Sequence, residues 1–381
     1  MKFYIETYGC TANQGNSQDL AQALQEMGHI PSSLDEADAV IVNTCAVTEK
    51  TERKTLRRLN LLQGERLVVS GCLPAAMPES IRLINCRERL GLLSGSAATK
   101  IADLFADSHP AKPFDASKCA PNEPHATPVA LAPRQNLCGI VNIASGCDGC
   151  CSYCIVRKAR GKLVSRDTDE VVEAVKNLAN SGIAEVQLAA QDTAAFGQDR
   201  GDSLPELIDK IDDVPGRFKV RVGMMNPDTA RSIQRRLIEA FHSPKVYKFL
   251  HMPVQSGSNR ILKSMRRRYT AEDFLTIVDA FRSQFPDLSL ITDVIVGFPG
   301  ETEEDFRQTM DLIKSLRPDK VNVTRFSRRP GTRASLLYDM PDRIKKDRSR
   351  ELTRLWLEIA GTRTRRYVGQ VLDARVTECG K

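Results

Sequence analysis

Short apolar runs alternate with longer amphipathic stretches along most of this 381-residue chain, and this alternation limits the fold more than any other feature. In the first hundred residues the short runs predict buried β-strands. The amphipathic stretches between them predict crossover helices, so the sheet should be mainly parallel and the domain α/β. The predicted strands are Phe3–Ile5, Ala39–Val42, Leu67–Val69 and Leu90–Leu93, and the predicted helices are Ser17–Met27, Thr48–Leu62 and Pro78–Ile84.

The same alternation returns after residue 136 and predicts a second domain. Six βα units are fewer than the eight of a closed barrel, so we expect an open partial barrel whose mouth faces the carboxyl ends of the strands. Strands should begin near Gly139, Glu185, Phe218, Val246, Leu288 and Asp319. Helices should cover Asp169–Asn180, Leu204–Ile211, Asp228–Phe241, Asn259–Met265, Ala271–Phe285 and Glu303–Ser315. A long helix, Asp342 to Arg365, should follow and present Ile344, Leu352, Leu355, Trp356 and Ile359 on one side.

Two segments outside this pattern set the expected domain boundaries. Residues 109–136 are rich in proline and lack periodicity, which predicts a linker. Residues 369–376 resemble a β-strand, and the chain stops soon afterwards at Lys381, so we expect a further domain to be cut short. We therefore expect an amino-terminal α/β domain over 1–108, the partial barrel over 137–366 and the start of a β-domain over 367–381.

Composition narrows the class of protein. The segment Met1–Cys10 has no apolar core for a signal peptide, and no run approaches the roughly 18 apolar residues of a membrane span, so we expect a cytoplasmic protein. Eleven cysteines in a reducing compartment indicate metal binding or catalysis rather than disulfides. Some cysteines are small buried hydrophobes instead, and we expect this of Cys86, Cys119, Cys138 and Cys379.

The strongest chemical pattern is the segment Gly146–Cys154, named here the cluster loop. Cys147, Cys151 and Cys154 have CxxxCxxC spacing directly after the first strand of the second domain. Thiolates are the usual ligands of iron–sulfur clusters, and three of them can hold three irons of a cubane and leave the fourth open. Cys147 and Cys150 also have the CxxC spacing of zinc sites. No second ligand pair follows, so we favour the cluster and expect Cys150 to be a bystander.

Three further cysteines follow three predicted strands in turn and are named here the strand-end cysteines: Cys10, Cys45 and Cys72. The carboxyl ends of parallel strands line the ligand crevice of open α/β sheets, so we expect the three to converge. Cysteines do end buried strands by chance. Because each of these three predicted strands is followed by a cysteine, we nevertheless favour a second three-cysteine cluster.

With several other motifs, both cysteine groups resemble the methylthiotransferase family of radical S-adenosylmethionine (SAM) enzymes. The resemblance runs through nearly the whole chain. Members usually end in a small RNA-binding β-barrel, the TRAM domain, and Gly369-Gln370-Val371-Leu372 resembles its first strand. The other matching motifs are Tyr8-Gly9-Cys10, Asn43-Thr44-Cys45, Ser70-Gly71-Cys72, Arg160-Gly161, Ala190–Thr193, His251–Ser258, Asp293–Thr302 and Arg329–Thr332.

The resemblance implies a radical reaction with two 4Fe–4S clusters and SAM. The cluster loop would hold the cluster that cleaves SAM to a 5′-deoxyadenosyl radical, and the strand-end cysteines would hold the auxiliary cluster. One SAM would methylate a sulfur species at the auxiliary cluster, while a second SAM provides the radical that abstracts hydrogen from a C–H bond. No catalytic acid–base dyad is assigned, and electrons would come from a donor such as a flavodoxin or ferredoxin.

Residues near the barrel mouth should contact SAM. The turn Gly297–Thr302 lacks the lysine and the spacing of a phosphate-binding loop. In radical SAM folds this region lies near the adenine of SAM, and this is compatible with a plain strand-to-helix turn. The expected SAM-contacting residues are Tyr153, Gln191, Asp192, Arg221, His251, Gln255 and Ile295.

Family members act on isopentenyladenosine in tRNA, on threonylcarbamoyladenosine in tRNA, or on an aspartate of a ribosomal protein. The segment Tyr153–Leu163 looks most like the archaeal and eukaryotic branch, which acts on threonylcarbamoyladenosine at position 37, next to the anticodon. Between Arg325 and Arg366, 13 Lys or Arg stand against 5 Asp or Glu. Such charge is usually a solvated helix face, but it also suits an RNA backbone. The expected RNA contacts are Arg157, Lys158, Arg160, Arg328, Arg329 and Arg333.

Overall fold

The computed structural model describes residues 1–93, 96–106, 127–128 and 137–374. These residues belong to two compact units. Unit 1 consists of Met1–Asn136 and Ile155–Lys162, and unit 2 of Leu137–Cys154 and Leu163–Lys381. The chain therefore leaves unit 2 at the end of the cluster loop, contributes a short segment to unit 1 and returns. Apart from Thr127 and Pro128, the predicted linker lies outside the described residues.

Unit 1 is built on a mainly parallel sheet, as the alternating pattern predicts. Its strands are β1 Lys2–Thr7, β2 Ile30–Pro31, β3 Ala39–Thr44, β4 Gly64–Gly71, β5 Cys86–Arg89 and β6 Thr127–Pro128. Its helices are α1 Thr11–Glu26, α2 Glu49–Leu62, α3 Cys72–Ala76, α4 Ala97–Phe105 and α5 Val156–Arg160, with a 3₁₀ turn at Pro78–Ile81. The parallel strands run in the order β2-β1-β3-β4-β5, and β6 pairs antiparallel with β1.

The central strand β3 explains how the sheet is covered. It is buried along its whole length. Val40 and Val42 pack into one core with Leu59 of α2, whereas Ile41 packs into another with Leu24 of α1. Because successive side chains of a strand point to opposite faces, one apolar run serves both cores.

The prediction of a strand at Leu90–Leu93 is wrong, because the fifth strand is Cys86–Arg89. An edge strand pairs on one side only and keeps alternate residues in solvent, so its charged sequence does not form an apolar run. Leu90 and Leu93 are instead buried beyond the strand and pack in the same core as α4. Helix α4 is absent from the predicted elements, although its buried residues have helical spacing.

Unit 2 has six parallel strands in its barrel. The unit's strands are β7 Cys138–Asn142, β8 Ala144–Ser145, β9 Val164–Ser165, β10 Glu185–Ala189, β11 Lys219–Val222, β12 Phe249–His251, β13 Ser289–Val296 and β14 Lys320–Arg325. Its helices are α6 Thr168–Asn180, α7 Leu204–Asp212, α8 Pro227–Ser232, α9 Gln234–Phe241, α10 Asn259–Ser264, α11 Ala271–Gln284, α12 Glu303–Leu316 and α13 Asp342–Thr364. The helix predicted over Asp228–Phe241 is two helices that meet at Ile233.

The barrel strands follow chain order in space. One sheet runs β7-β10-β11 and the other β12-β13-β14, and a parallel bridge between Val220 and Val246 joins them. Within the described part of the chain, β7 and β14 have no pairing with each other. This confirms the predicted open partial barrel of six βα units. Strands β8 and β9 form a separate antiparallel pair that brackets the cluster loop and the segment after it.

Two predictions for the carboxyl-terminal part are corrected. Gly369–Ala374, the described part of the predicted last strand, is not a β-strand, and Val371 is fully exposed. An extended segment needs a neighbouring strand for its backbone hydrogen bonds, and no described strand lies against this one. Ile344 is also 41% exposed rather than on the buried side of α13.

Among the described residues, no helix is both long and apolar enough to cross a membrane.

The buried side of α13 begins with two cations. Lys345 and Arg348 are 4% and 7% exposed, and Leu352 and Ile359 continue the same stripe. Lys345 pairs with Asp339 and Asp342 at 3.1 and 3.0 Å. Helix α13 therefore docks on the barrel through ion pairs at its start and through apolar contacts further along.

Arg348 also holds the turn after β13. Its Nη1 donates to Glu301 Oε2 at 2.6 Å, and the same oxygen accepts from the Gly297 backbone N–H at 2.7 Å. Replacing Arg348 with alanine would leave a buried carboxylate without its cation, which typically costs about 3–5 kcal/mol. We expect the urea midpoint to fall accordingly. Arg350→Ala, which removes an exposed pair with Asp347, should cost less than about 1 kcal/mol. Equal losses in both variants would contradict this assignment.

Candidate functional site

The strand-end cysteines follow three neighbouring parallel strands. Cys10, Cys45 and Cys72 lie just beyond the carboxyl ends of β1, β3 and β4. Cys45 and Cys72 are 5% exposed, whereas Cys10 is exposed. The Cys45 thiol interacts electrostatically with both of the others. The expected convergence of the three thiols at one edge of the sheet is therefore present.

Glycines next to these cysteines make the close approach possible. Gly9 has φ +116°, and a Cβ there would lie 2.7 Å from Cys45 Cβ and 3.1 Å from its Sγ. Gly71 has φ +96°, and a Cβ there would lie 2.4 Å from the Thr44 carbonyl oxygen. Both positions need glycine for conformation and for space. This explains the glycine before the cysteine in two of the sequence motifs.

Asn13, which no sequence motif singles out, connects the loops that carry the strand-end cysteines. Its Nδ2 donates to the Tyr8 carbonyl at 2.8 Å and to the Thr44 carbonyl at 2.9 Å. Asn43 Nδ2 in turn donates to the Asn13 carbonyl at 2.9 Å. Asn13 is 1% exposed, so these bonds are made without competition from water. A lone asparagine in a helix carries no sequence signal for such a role.

Burial, with a smaller contribution from the nearby Cys10, raises the pKa of the Cys45 thiol to about 12. Burial also raises the pKa of Cys72, while Arg160 opposes that rise. Without a bound cation the two thiols are therefore protonated at neutral pH. A metal cluster would have to displace these protons when it binds.

In the cluster-free protein, we therefore expect the Cys45 thiol to react slowly with alkylating reagents. Thiolate is the reactive form, and a raised pKa makes it scarce until the pH approaches 12. At pH 8 we expect iodoacetamide to modify Cys45 at less than about a tenth of the rate of the exposed Cys150, measured by peptide mass spectrometry. Unfolded thiols ionise near roughly pH 8.5, so the cluster-free fold should also lose stability as the pH rises above that value. Equal modification of both cysteines in the folded protein would contradict the expected protection.

The cluster loop places Cys147 and Cys151 beside a glycine. The Gly149 backbone N–H donates to Cys147 Sγ at 3.2 Å. A Cβ at Gly149 would lie 3.1 Å from Cys147 Sγ and 3.8 Å from Cys151 Sγ. All three CxxxCxxC thiols are partly exposed, whereas Cys150 is exposed. This exposure agrees with the expectation that Cys150 is a bystander but does not test it.

Ser152 fixes the cluster loop to the rest of unit 2. Its backbone N–H donates to the Met265 carbonyl at 2.9 Å, and its Oγ donates to the Ser264 carbonyl at 2.9 Å. Its own carbonyl accepts from the backbone N–H of Ala334 at 2.8 Å. The loop is thus held between the end of α10 and the 3₁₀ turn Arg333–Leu336.

The donor chemistry fits two cubane clusters. Each cysteine group offers three thiols, and in each group a glycine lies directly against a cysteine sulfur. Across the described residues, no three His, Cys, Asp or Glu side chains converge as the ligands of a single ion do. A cubane needs no such convergence, because each of the three thiolates binds a different iron.

Successive side chains of each barrel strand point alternately towards the surrounding helices and towards the interior of the barrel. Val220 and Val222 pack with the helices, whereas Arg221 between them faces the other way and stacks on the Phe249 ring at 4.4 Å. On that interior side, His251 Nε2 lies 3.1 Å from Asp293 Oδ2. Asn322 Nδ2 donates to the other oxygen of Asp293 at 2.6 Å. A polar network therefore lines the interior of the partial barrel.

Gln255 has an unusual geometry among the expected SAM-contacting residues. Its φ is +68°, and its backbone N–H and carbonyl both bond to β13. It is 8% exposed, and its Oε1 is buried without a hydrogen-bond partner in the described structure. A buried residue with a strained backbone and an unsatisfied side-chain acceptor is the kind of residue that a ligand completes.

Gln191 and Asp192 both accept hydrogen bonds within unit 2. Gln191 Oε1 accepts from the Gly146 backbone N–H at 2.8 Å, so it supports the start of the cluster loop. Burial raises the pKa of Asp192 to about 6, although Asn226 and Thr229 donate to it. Ile295 lies on β13 and is partly buried.

Arg267, which no sequence motif singles out, also belongs to this site. Its guanidinium donates to the Tyr153 hydroxyl at 2.6 Å and to Asn226 Oδ1 at 2.9 Å. It also interacts electrostatically with Cys151 and Asp192. Tyr153 itself packs edge-on against Phe298. These contacts place a fixed cation between the cluster loop and Asp192.

The expected RNA-contacting residues divide into three groups. Arg157 and Lys158 are exposed on α5, and Arg328 and Arg333 are exposed in unit 2. Arg329 is 3% exposed, so the expectation of a surface contact is not met there. Arg160 is turned inward and donates to Asn13 Oδ1 and, at 3.4 Å, to Asn16 Oδ1. Lys345 and Arg348 are also buried. Fewer cations between Arg325 and Arg366 are therefore exposed than the charge count of that segment predicts.

Family models match two parts of the chain. The radical SAM superfamily matches residues 141–313, and the model described as Uncharacterized protein family UPF0004 matches residues 2–89. Among solved structures, the radical SAM methyltransferase TsrM from Kitasatospora setae, with cobalamin and a 4Fe–4S cluster bound, has a TM-score of 0.61. The similarity covers 88% of this chain and 77% of that one, at 14% identity. It therefore supports the radical SAM fold alone.

Two curated relatives cover nearly the whole chain. An Archaeoglobus fulgidus protein named probable threonylcarbamoyladenosine tRNA methylthiotransferase is 42% identical over 100% of this chain and 89% of its own length. A Caldicellulosiruptor saccharolyticus protein named tRNA-2-methylthio-N(6)-dimethylallyladenosine synthase is 34% identical over 97% of this chain and 81% of its own length. Both fall within one family, and the first is the more similar to this chain.

Proposed function

Because the chain belongs to the methylthiotransferase family of radical SAM enzymes, we propose that it converts N6-threonylcarbamoyladenosine at position 37 of tRNA to its 2-methylthio derivative. The single observation that carries the proposal is the presence of two separate three-cysteine groups in one chain. One group lies on a loop of the partial barrel and the other at the strand ends of unit 1. A reaction that needs both a radical and a sulfur donor needs two such centres.

We assign the CxxxCxxC thiols to the 4Fe–4S cluster that binds SAM and the strand-end cysteines to the auxiliary 4Fe–4S cluster. When bound, the first cluster supplies the electron that cleaves SAM, and the second holds the sulfur to be transferred. Gly149 keeps space open between two of the loop sulfurs. Ser152 and Gln191 hold the loop in place.

The interior of the barrel provides the SAM-binding residues. Gln255 Oε1 offers a buried acceptor for an amino group of the cosubstrate. The pair His251–Asp293 and the cation Arg221 are fixed by their own contacts. Arg267 provides positive charge beside the cluster loop, where the SAM carboxylate needs a counter-charge.

We propose tRNA as the partner because exposed cations lie close to the cluster loop. Arg328 Nη2 donates to the Leu337 carbonyl at 2.6 Å, next to Tyr338, which is 83% exposed. The 3₁₀ turn that precedes Tyr338 bonds to the loop through Ala334. Arginines can hold phosphates while an exposed ring stacks on a base splayed from a loop. A flavodoxin or ferredoxin in the cytoplasm is our proposal for the electron donor.

Reversing the charge of Arg328 and Arg333 together to glutamate should weaken tRNA binding. Each lost phosphate contact reduces counterion release, so we expect an affinity loss of about tenfold or more at low salt and a shallower salt dependence. Fluorescence anisotropy with labelled tRNA across a salt series measures both. Arg235→Glu on α9, a reversal at an 88% exposed side chain, is the matched control and should have little effect. Equal losses in the two variants would argue against a specific surface.

The substrate nucleoside is tested by mass spectrometry of tRNA nucleosides after reaction with the reconstituted enzyme and SAM. We expect a methylthio product from tRNA that carries threonylcarbamoyladenosine and none from the same tRNA without that group. Isopentenyladenosine tRNA is the competing substrate, because the 34% identical relative has a name of that class. Equal product from both modified tRNAs, or activity only on a ribosomal protein, would overturn the substrate assignment.

A further inference from the structure

Arg160 is a cation of unit 1 whose guanidinium faces the strand-end cysteines. It lies close enough to the Cys72 and Cys45 thiols to interact electrostatically with both. Both of these thiols are nine-tenths buried or more. A cation directed at buried sulfur atoms is costly unless those atoms carry negative charge.

The fold holds Arg160 in this direction. Helix α5 packs on α3, and Ile155 and Ala159 are buried in the same core as Cys72. Asn13 and Asn16 accept hydrogen bonds from the guanidinium through their side-chain oxygens. Asn13 is itself fixed by its bonds to the Tyr8 and Thr44 carbonyls. The guanidinium is therefore oriented before any cluster binds.

We propose that Arg160 is a positioning residue of the auxiliary site, which stabilises the cluster's negative charge by hydrogen-bonding to the Cys72 sulfur. The potential of an iron–sulfur cluster depends on net charge, on hydrogen bonds to its sulfurs and on exposure. An oriented cation at a buried ligand raises that potential and favours retention of the cluster. The inference rests on the proposed function only for the existence of the auxiliary cluster.

This role also gives a reason for the position of Arg160 in the chain. It follows Cys154 by six residues, and the segment that joins them leaves unit 2 and enters unit 1. A single short segment thus carries a ligand of one cysteine group and a cation of the other. Arg160 serves the buried sulfurs rather than the RNA contact expected from sequence.

The test isolates the auxiliary cluster in the full-length chain with Cys147, Cys151 and Cys154 changed to alanine. Arg160→Gln removes the charge and the guanidinium fork, and Arg160→Lys keeps the charge alone. Lys162→Gln removes one positive charge at an exposed position two residues away and serves as the control. Each protein is reconstituted anaerobically, its iron and sulfide are quantified, and its midpoint potential is titrated with detection by electron paramagnetic resonance.

We expect a more negative midpoint potential for Arg160→Gln, an intermediate one for Arg160→Lys and an unchanged one for Lys162→Gln. If Arg160→Gln assembles no cluster, the potential of Arg160→Lys decides the question. The inference would be overturned if every Arg160 variant that assembles a cluster had the same midpoint potential as the protein in which Arg160 is intact. Arg160 would then have only a packing role. No tRNA enters the measurement, so a wrong substrate assignment would not affect its outcome.

Discussion

Changing Cys147, Cys151 and Cys154 together to alanine should abolish reductive cleavage of SAM and remove about half of the iron, since two clusters of the same type carry equal amounts. The three thiols lie on one loop that Ser152 fixes to unit 2, and no described residue nearby offers a replacement set of ligands. Production of 5′-deoxyadenosine under dithionite, measured by liquid chromatography, should fall to the background without enzyme.

Cys150→Ala is the matched control for this loss. Cys150 lies on the same loop and is exposed, so its removal should leave both the iron content and SAM cleavage nearly unchanged. SAM cleavage that persists in the triple variant would refute a radical SAM role for the cluster loop. A loss in Cys150→Ala as large as in the triple variant would instead favour a different set of ligands.

Changing Cys10, Cys45 and Cys72 to alanine should have the complementary effect. The other half of the iron should be lost and methylthio transfer should stop, while SAM cleavage should continue because the cluster loop belongs to unit 2. Nucleoside mass spectrometry and 5′-deoxyadenosine assays on the same sample separate these two outcomes. Circular dichroism should confirm that the variant is folded, since two of the three sites are buried.

Cys86→Ala is the control in unit 1. Cys86 is a partly buried thiol at the start of β5, at the opposite end of the sheet from the strand-end cysteines. Its removal should leave the iron content and methylthio transfer intact. Methylthio transfer by the variant that lacks the strand-end cysteines would contradict the two-cluster assignment.

The cysteine groups could be predicted because they depend on strand order alone. Once short apolar runs predict parallel strands, the residues after Thr7, Thr44 and Gly71 must lie at one edge of the sheet. The fifth strand is Cys86–Arg89 rather than the predicted Leu90–Leu93. This difference does not affect the prediction of the cysteine group, because none of the three cysteines follows that strand. The CxxxCxxC spacing likewise predicts the cluster loop, and its role as a cluster site stays a prediction.

The polar contacts around those cysteines could not be predicted. Asn13, Arg160 and Arg267 depend on how short helices and loops pack, which no local pattern specifies. The burial of Arg329, Lys345 and Arg348 shows the same limit. A charge count predicts an exposed surface, but the phase of α13 and the position of Glu301 decide which cations are buried in ion pairs.

Methylthio transfer by two clusters is tested most directly by the ratio of products in one reaction with threonylcarbamoyladenosine tRNA. One SAM should provide the methyl group and a second the radical. We therefore expect S-adenosylhomocysteine, 5′-deoxyadenosine and the 2-methylthio nucleoside in equal amounts after correction for uncoupled cleavage. Methylthio product without 5′-deoxyadenosine, or 5′-deoxyadenosine without any methylthio product on this tRNA, would contradict it.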